Sequence, residues 1–271
     1  MQLGISTYTY GWAVGTPASR PSPPLDEQHL LDYAHRMEVR LVQFGDNWPL
    51  HERTPDQLDA LRTRAGREGI GLELGARGLT EAHLERYITL AETLNSRLLR
   101  FVIDGPGYEP SVETVVALLK NAVPVLEQAD VTLGLENHDR LLSREFAAII
   151  EGVGSERVGI CLDSVNSLGA GEGLAEVVRT LAPHTVNLHL KDFGIRRLPH
   201  LMGFQVDGRP AGRGMLNIPW LVSEVVRSGR CRTAILEQWV VPEPDLAATL
   251  DKERRWADAS IDYLKNTGLF T

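Results

Sequence analysis

Cysteine is scarce: Cys161 and Cys231 are the only two in 271 residues, too few to frame a disulfide-stapled fold. Basic residues are outnumbered, with 28 Lys and Arg against 36 Asp and Glu and a formal net charge of −8. Such a negative field slows encounter with nucleic acid or an anionic bilayer, so neither is expected as a partner. No apolar run reaches the roughly 18 residues of a membrane span, and no basic-then-apolar leader is visible, so the cytoplasm is the expected compartment. Low-complexity tracts and domain linkers are missing too. The Gly-rich phosphate turn of an open nucleotide-binding sheet has only a poor substitute in Gly75-Ala-Arg-Gly78, which lies in the third unit of the chain.

What is present has the balance of a folded enzyme, 43% hydrophobic and 24% charged residues, at a length that allows one large domain. Short apolar runs rich in Val, Ile and Leu alternate with helix-period segments about eight times. The runs predict strands at 2–6, 41–45, 71–75, 98–103, 132–136, 158–163, 185–190 and 233–237. Val112, Val115, Val116 and Leu119 place apolar groups at helical spacing; Thr54-Pro55 reads as one helix start, and Ser143 followed by Phe146 and Ala147 as another. Pro124 predicts a kink late in its helix. Strands apolar on both faces and separated by helices imply parallel pairing with right-handed crossovers. Eight such units predict an α/β fold of one domain over residues 1–271, a closed (β/α)₈ TIM barrel. Residues 11–24 and 193–216 read as long loops, of the kind that serve as lids or binding segments.

Chemistry in such a barrel gathers at the carboxyl ends of the strands. Four of the last five predicted strands end abruptly in Glu136, Asp163, His189 and Glu237. Three carboxylates converging on an apolar mouth are costly unless a cation compensates them. Three oxygen donors and one imidazole suit one divalent ion, Mn²⁺ first, with Mg²⁺, Co²⁺ or Zn²⁺ as alternatives. His138 and Lys191, each two residues beyond a ligand candidate, keep the same side by strand periodicity and are candidates for binding a substrate hydroxyl or carrying a proton. A salt bridge from Lys191 to a carboxylate such as Asp192 is the plainer alternative. Asn166 is placed to bind a ligand or cap a helix.

Trp12, Trp48 and Trp239 each follow a strand, where a flat aromatic face would pack on a sugar; loop packing is the alternative for each. Trp220 and Trp256 fall in helical stretches. The 193–216 segment carries His200, Arg196, Arg197, Arg209 and Arg213. The arginines are candidates for gripping a substrate carboxylate or phosphate. Arg213 stands out because Gly212 and Gly214 let its backbone approach a ligand closely.

These strand endings, Leu-Glu-Asn-His at 135–138, Leu-Asp at 162–163, His-Leu-Lys-Asp at 189–192 and Leu-Glu at 236–237, resemble the xylose isomerase-like barrel superfamily of sugar isomerases and epimerases. The resemblance spans nearly the whole chain. In the ketose 3-epimerase branch it implies that Glu136, Asp163, His189 and Glu237 hold the metal, while Glu136 and Glu237 act as acid and base through an enediolate that the cation stabilises. The chain departs from the pattern at Asp163-Ser-Val-Asn166, where relatives show Asp-x-x-His, and at Asp207-Gly-Arg209, where the endonuclease branch shows Asp-x-His. A multinuclear DNA-incising site is therefore not expected. The stretch from Pro199 through Gly214, with His200 in it, is similar to a subgroup that includes 3-oxo-isoapionate decarboxylase. That likeness implies a lyase alternative, on an oxidised sugar acid whose carboxylate the loop arginines would grip. Dehydration or deglycosylation of a 3-keto sugar is a further variant of it. A small sugar or sugar acid is the expected partner, with a homo-oligomer expected from the family.

Overall fold

The computed structural model describes residues 1–271. Eight parallel strands close into a barrel: β1 (Gln2–Ser6), β2 (Leu41–Phe44), β3 (Gly71–Arg77), β4 (Leu98–Val102), β5 (Thr132–Glu136), β6 (Val158–Asp163), β7 (Thr185–Leu190) and β10 (Thr233–Leu236). They are joined in that order, with β10 pairing both β7 and β1. The predicted strands and the closed (β/α)₈ architecture are thus both present. Between the strands run helices α1 (Gly11–Val14), α2 (Glu27–Arg36), α3 (Pro55–Glu68), α4 (Glu81–Thr93), α5 (Val112–Gln128), α6 (Ser143–Val153), α7 (Leu174–Leu181) and α8 (Ile218–Val226), and α9 (Leu246–Asn266) follows the last strand.

Local sequence explains these boundaries. Thr54 caps α3 through a reciprocal pair with Gln57, with Pro55 at its first turn, and Gly69 in the left-handed region ends it. Ser111 and Asp245 cap α5 and α9 through their side-chain oxygens. Ser143 opens α6 from inside the first turn, while Leu142 takes the cap position and its N–H donates to Glu145. Helix α5 runs continuously through Pro124. No helix is long and apolar enough to cross a membrane.

The apolar core is one cluster of 65 buried residues between strands and helices. Inside the barrel the strands instead project polar groups, among them Gln43, Glu73, Arg100, Glu136, Asp163, Asn187, His189 and Glu237, all buried. Contact between Gln43 on β2 and His189 on β7, strands that are not neighbours in the sheet, places both side chains in the interior. Gly75 makes room there, since a Cβ at that position would lie 3.3 Å from Arg100 Cδ.

The segment predicted as a long loop at 193–216 is largely ordered as a two-stranded antiparallel hairpin, β8 (Asp192–Arg197) and β9 (Phe204–Arg209). One face carries Ile195, Arg197, Phe204 and Val206, and the other carries Arg196, Gln205 and Asp207. That period-2 pattern was interrupted by too many charges to stand out as a strand in the sequence.

Candidate metal centre

Four strand ends bring Glu136, Asp163, His189 and Glu237 together, so that one donor atom from each lies within 4.8 Å of every other. His189 Nδ1 is 3.4 Å from Glu237 Oε1, 3.7 Å from Glu136 Oε1 and 4.0 Å from Asp163 Oδ2. Donors about 2.0–2.5 Å from a shared ion are separated from one another by distances of this order, so the spacing fits one hard divalent cation. One buried donor supports the fit: His189 Nδ1 has no hydrogen-bond partner, whereas Glu136 Oε2 meets Arg100 and the outer oxygens of Asp163 and Glu237 meet Lys191. Neither cysteine contributes a closed thiolate site. Cys161 Sγ donates to Asn187 Oδ1 at 3.1 Å, and burial pushes its thiol well up.

The neighbours of each cluster residue differ. Asp163 is held by backbone: its Oδ1 accepts from the N–H groups of Val165 and Asn166, at 2.8 and 2.9 Å. Glu136 pairs with the guanidinium of Arg100 and accepts from Asn166 Nδ2 at 2.8 Å. Burial opposes its ionisation, but the charges of Arg100 and His189 win and hold its carboxyl well below the usual range. Arg100 in turn binds Asp46 Oδ1 at 2.6 Å, and Asp46 also binds Arg77 Nε at 3.2 Å. Lys191 Nζ reaches Asp163 Oδ2 at 2.7 Å and Glu237 Oε2 at 2.9 Å. Burial would lower its pKa, yet Asp163 and Glu237 drive it well above the ordinary value, so the lysine is an ammonium here. His189 is likewise raised: desolvation opposes its charge, and Glu237 and Glu136 overcome it.

Lys191 therefore pairs with the cluster rather than with Asp192. Asp192 is buried and accepts backbone N–H groups from Phe193, Gly212, Gly214 and Leu216. Gly214 is needed for that approach, because a Cβ there would fall 2.1 Å from Asp192 Oδ1. The glycines around Arg213 thus serve the turn onto Asp192, and Arg213 itself is exposed. Asn166 sits within the cluster, its Oδ1 3.5 Å from Lys191 Nζ. His138 lies one step out, with Nε2 3.1 Å from Arg77 Nη2 and Nδ1 3.0 Å from Asp139.

The tryptophans take up loop contacts. Trp12 donates its indole N–H to Val240 O, Trp48 donates to Glu27 and stacks under Arg53, and Trp239 packs on Gly208 of the hairpin. His200 is exposed beyond β8, accepting from Met202 N. Of the hairpin arginines, Arg196 pairs with Asp207, Arg197 lies over Phe204, and Arg209 donates to the carbonyl of Gly208.

Sequence reasoning missed Gln43, Asp46, Glu73, Arg77 and Arg100. Gln43, Glu73 and Arg100 interrupt apolar strands in mid-run, the one signal available for them, while Arg77 ends β3 and Asp46 follows β2. It also missed a cavity of about 610 Å³ beside the cluster, lined by Tyr8, Thr16, Ser19, Arg20 and Asn47 among others. Arg20 is exposed there and forms no ion pair. Tyr8 lines this cavity and also faces Arg100, its ring centroid 5.8 Å from the guanidinium carbon.

A family model described as a xylose isomerase-like TIM barrel matches residues 31–267. The 3-oxo-isoapionate decarboxylase of Pectobacterium atrosepticum is 33% identical over 264 residues, covering 97% of this chain and 95% of the relative. Among solved structures, a D-psicose 3-epimerase crystallised in the presence of D-fructose superposes with a TM-score of 0.72 at 13% identity, covering 98% of each chain. A xylose isomerase-like TIM barrel protein from Mycobacterium smegmatis, in complex with magnesium, gives 0.68 at 12% identity, covering 97% of this chain and 96% of its own. At such identities the two structures attest the fold.

Proposed function

The chain belongs to the xylose isomerase-like TIM barrel family, and from that footing we propose that it is a divalent-metal-dependent lyase that decarboxylates a 3-oxo sugar acid. The observation that carries this reading is the unequal treatment of the two glutamates. Glu136 is clamped by Arg100 and Asn166, whereas Glu237 shares the ammonium of Lys191 with Asp163. Two opposed bases suit stereochemical inversion at a sugar carbon, but a carboxylate tied to a buried guanidinium is a weak base. Loss of carbon dioxide from a 3-oxo acid needs no carboxylate base. It needs an electron sink and, afterwards, a proton for carbon. The relative that shares a third of its residues over nearly full length carries a name that states this chemistry.

Glu136, Asp163, His189 and Glu237 would hold the ion, Mn²⁺ first. When bound it would supply Lewis-acid polarisation of the 3-oxo group. The chain's own residues do the rest. Arg20, with its free guanidinium in the cavity that Tyr8 lines, is assigned to the substrate carboxylate. As the bond to the carboxyl carbon breaks, its electron pair passes to the neighbouring carbon and on to the ketone oxygen. The ammonium of Lys191 then returns a proton to that carbon and regains one from solvent. Glu237 and Asp163 keep Lys191 charged before the ion binds, and once they hold the ion their weaker grip on the ammonium would make it the better acid.

A second reading, ketose isomerisation or epimerisation with Glu136 and Glu237 as acid and base, uses the same four ligands and draws on their mutual proximity. Incubation of the Mn²⁺-loaded enzyme in D₂O with a 3-oxo sugar acid labelled with ¹³C at the carboxyl separates the two. Decarboxylation gives labelled bicarbonate and one deuterium in the product, whereas deuterium exchange at a sugar carbon with the carboxyl retained rejects the lyase reading.

A further inference from the structure

His189 turns Nδ1 to the cluster, and it is the one member whose ability to bind there depends on a tautomer, because a neutral imidazole has a free lone pair only on the nitrogen that lacks the proton. Below it, on the barrel axis, lie polar groups that no step above employs: Gln43, Glu73, Asn187 and Thr233. His189 Nε2 is 2.7 Å from Gln43 Oε1. Gln43 Nε2 donates to Glu73 Oε2 at 3.0 Å and to Asn187 Oδ1 at 3.2 Å. Asn187 Nδ2 donates to the same Glu73 oxygen at 3.3 Å and to Thr233 Oγ1 at 2.7 Å.

We infer that Glu73 and Gln43 are positioning residues that decide which ring nitrogen His189 offers to the cation. Each link in the series admits one polarity. Glu73 Oε2 takes two amide N–H groups and is therefore an acceptor whether or not the other carboxyl oxygen is protonated. That turns the NH₂ of Gln43 toward Glu73, and its carbonyl must then point at His189. A carbonyl only accepts, so Nε2 carries the proton and Nδ1 presents its lone pair to the three carboxylates and the ion between them. Were Gln43 turned over, its NH₂ would face Nε2, that nitrogen would become the acceptor, and the proton would sit on Nδ1, where the cation belongs. The carboxylate of Glu73, two contacts away from the ligand, is what forbids that turn. Asn187, oriented by the same oxygen and by Thr233, presents Oδ1 to Gln43, so a turned-over Gln43 carbonyl would find no donor there either.

The inference rests on the cation reading of the cluster, and its test separates the two. Titration of the metal-free wild type with Co²⁺, followed by its visible spectrum, gives the affinity. ¹⁵N NMR of histidine-labelled, Zn²⁺-loaded protein gives the protonated nitrogen of His189, assigned by difference against His189→Gln. The expected wild-type result is a proton on Nε2 and a metal on Nδ1. Gln43→Met is expected to lose the unique protonation pattern and to weaken Co²⁺ binding about 10- to 100-fold. In the exchanged pair Gln43→Glu with Glu73→Gln, the carboxylate accepts from Nε2–H directly. That double variant is expected to restore the wild-type spectrum and an affinity within about threefold, a rescue that simple repacking would not produce. An unchanged His189 spectrum and affinity in Gln43→Met overturns the inference while leaving the metal site standing. Absence of Co²⁺ binding by the wild type overturns the cation reading and the inference with it. Should Gln43→Met not fold, failure of the exchanged pair to keep Nε2 protonated overturns the inference by itself.

Discussion

Lys191 and Glu237 stand 2.9 Å apart, Nζ to Oε2, at the centre of the carboxylate cluster, and the same ammonium reaches Asp163 at 2.7 Å. A cation of the protein's own thus touches two oxygens that a metal would also use. Lys191→Met removes this charge while keeping most of the side-chain volume. Decarboxylation should then fall by about 10²- to 10⁴-fold in kcat, the scale of a lost general acid. Binding of Mn²⁺ should stay or tighten, because two ligand oxygens lose a competitor. Parallel loss of metal binding and turnover would instead make Lys191 a structural counter-ion.

Arg100 holds Glu136 and Asp46 together in the barrel, with its own side chain buried. Removing the guanidinium strips Glu136 of its buried arginine and leaves Asp46 with Arg77 alone. Arg100→Met should therefore cost about 3–5 kcal/mol of stability, the range for breaking a buried ion pair from one side. Thermal unfolding of the metal-free protein reads this, and added Mn²⁺ should recover part of the loss by replacing the missing positive charge. A melting temperature within a degree or two of wild type would mean that water reaches the carboxylates once the arginine is gone.

Metal binding and protons should compete at His189. In the metal-free protein Glu237 and Glu136 raise its pKa above 6.5, their attraction exceeding the desolvation cost. A raised folded-state pKa contributes stability that is complete below about 6.5 and fades as pH climbs through the folded value. Apparent Mn²⁺ affinity should move the opposite way, rising with pH over the same interval as Nδ1 gives up its proton to the ion. Isothermal titration at several pH values, in buffers of different ionisation enthalpy, counts the proton released. A proton count near zero between pH 6 and pH 8 would place the neutral ring in the free protein.

Strand positions and the four cluster residues were readable because Glu136, Asp163 and Glu237 close apolar runs and His189 stands one residue from the end of its own, where a polar residue has no packing reason to be. The groups that orient them were not. Gln43, Glu73 and Arg100 sit inside strands β2, β3 and β4, where a lone polar residue among Val, Leu and Phe reads as an outward-facing gap in the pattern. Only the closure of the barrel, which sets β2 opposite β7, reveals that Gln43 meets His189. Gly212 and Gly214 were legible as places of close approach. That what approaches is the Asp192 carboxylate follows from the fold alone. The hydrogen bonds that anchor Trp12 and Trp48, from their indole N–H groups to Val240 and Glu27, likewise follow from the fold alone.

Glu253 tests the same physics away from the cluster. It is buried on α9 and accepts the backbone N–H groups of Trp12 and Ala13 at 2.8 and 3.0 Å, with no cation among the groups that shift it. Burial lifts its carboxyl to about 7, against hydrogen bonds that pull it down. Between the ordinary value near 4.5 and 7 the folded chain holds a proton that the unfolded chain has lost. Stability from this group therefore declines as pH rises through that window and levels off above it. Glu253→Gln removes the titration but gives up one of two acceptors, so the variant should be less stable at pH 5. The deficit should shrink, or change sign, by pH 8. Melting curves of wild type and variant at matched pH measure the difference; a gap that stays constant from pH 5 to pH 8 would show that Glu253 is already ionised in the fold.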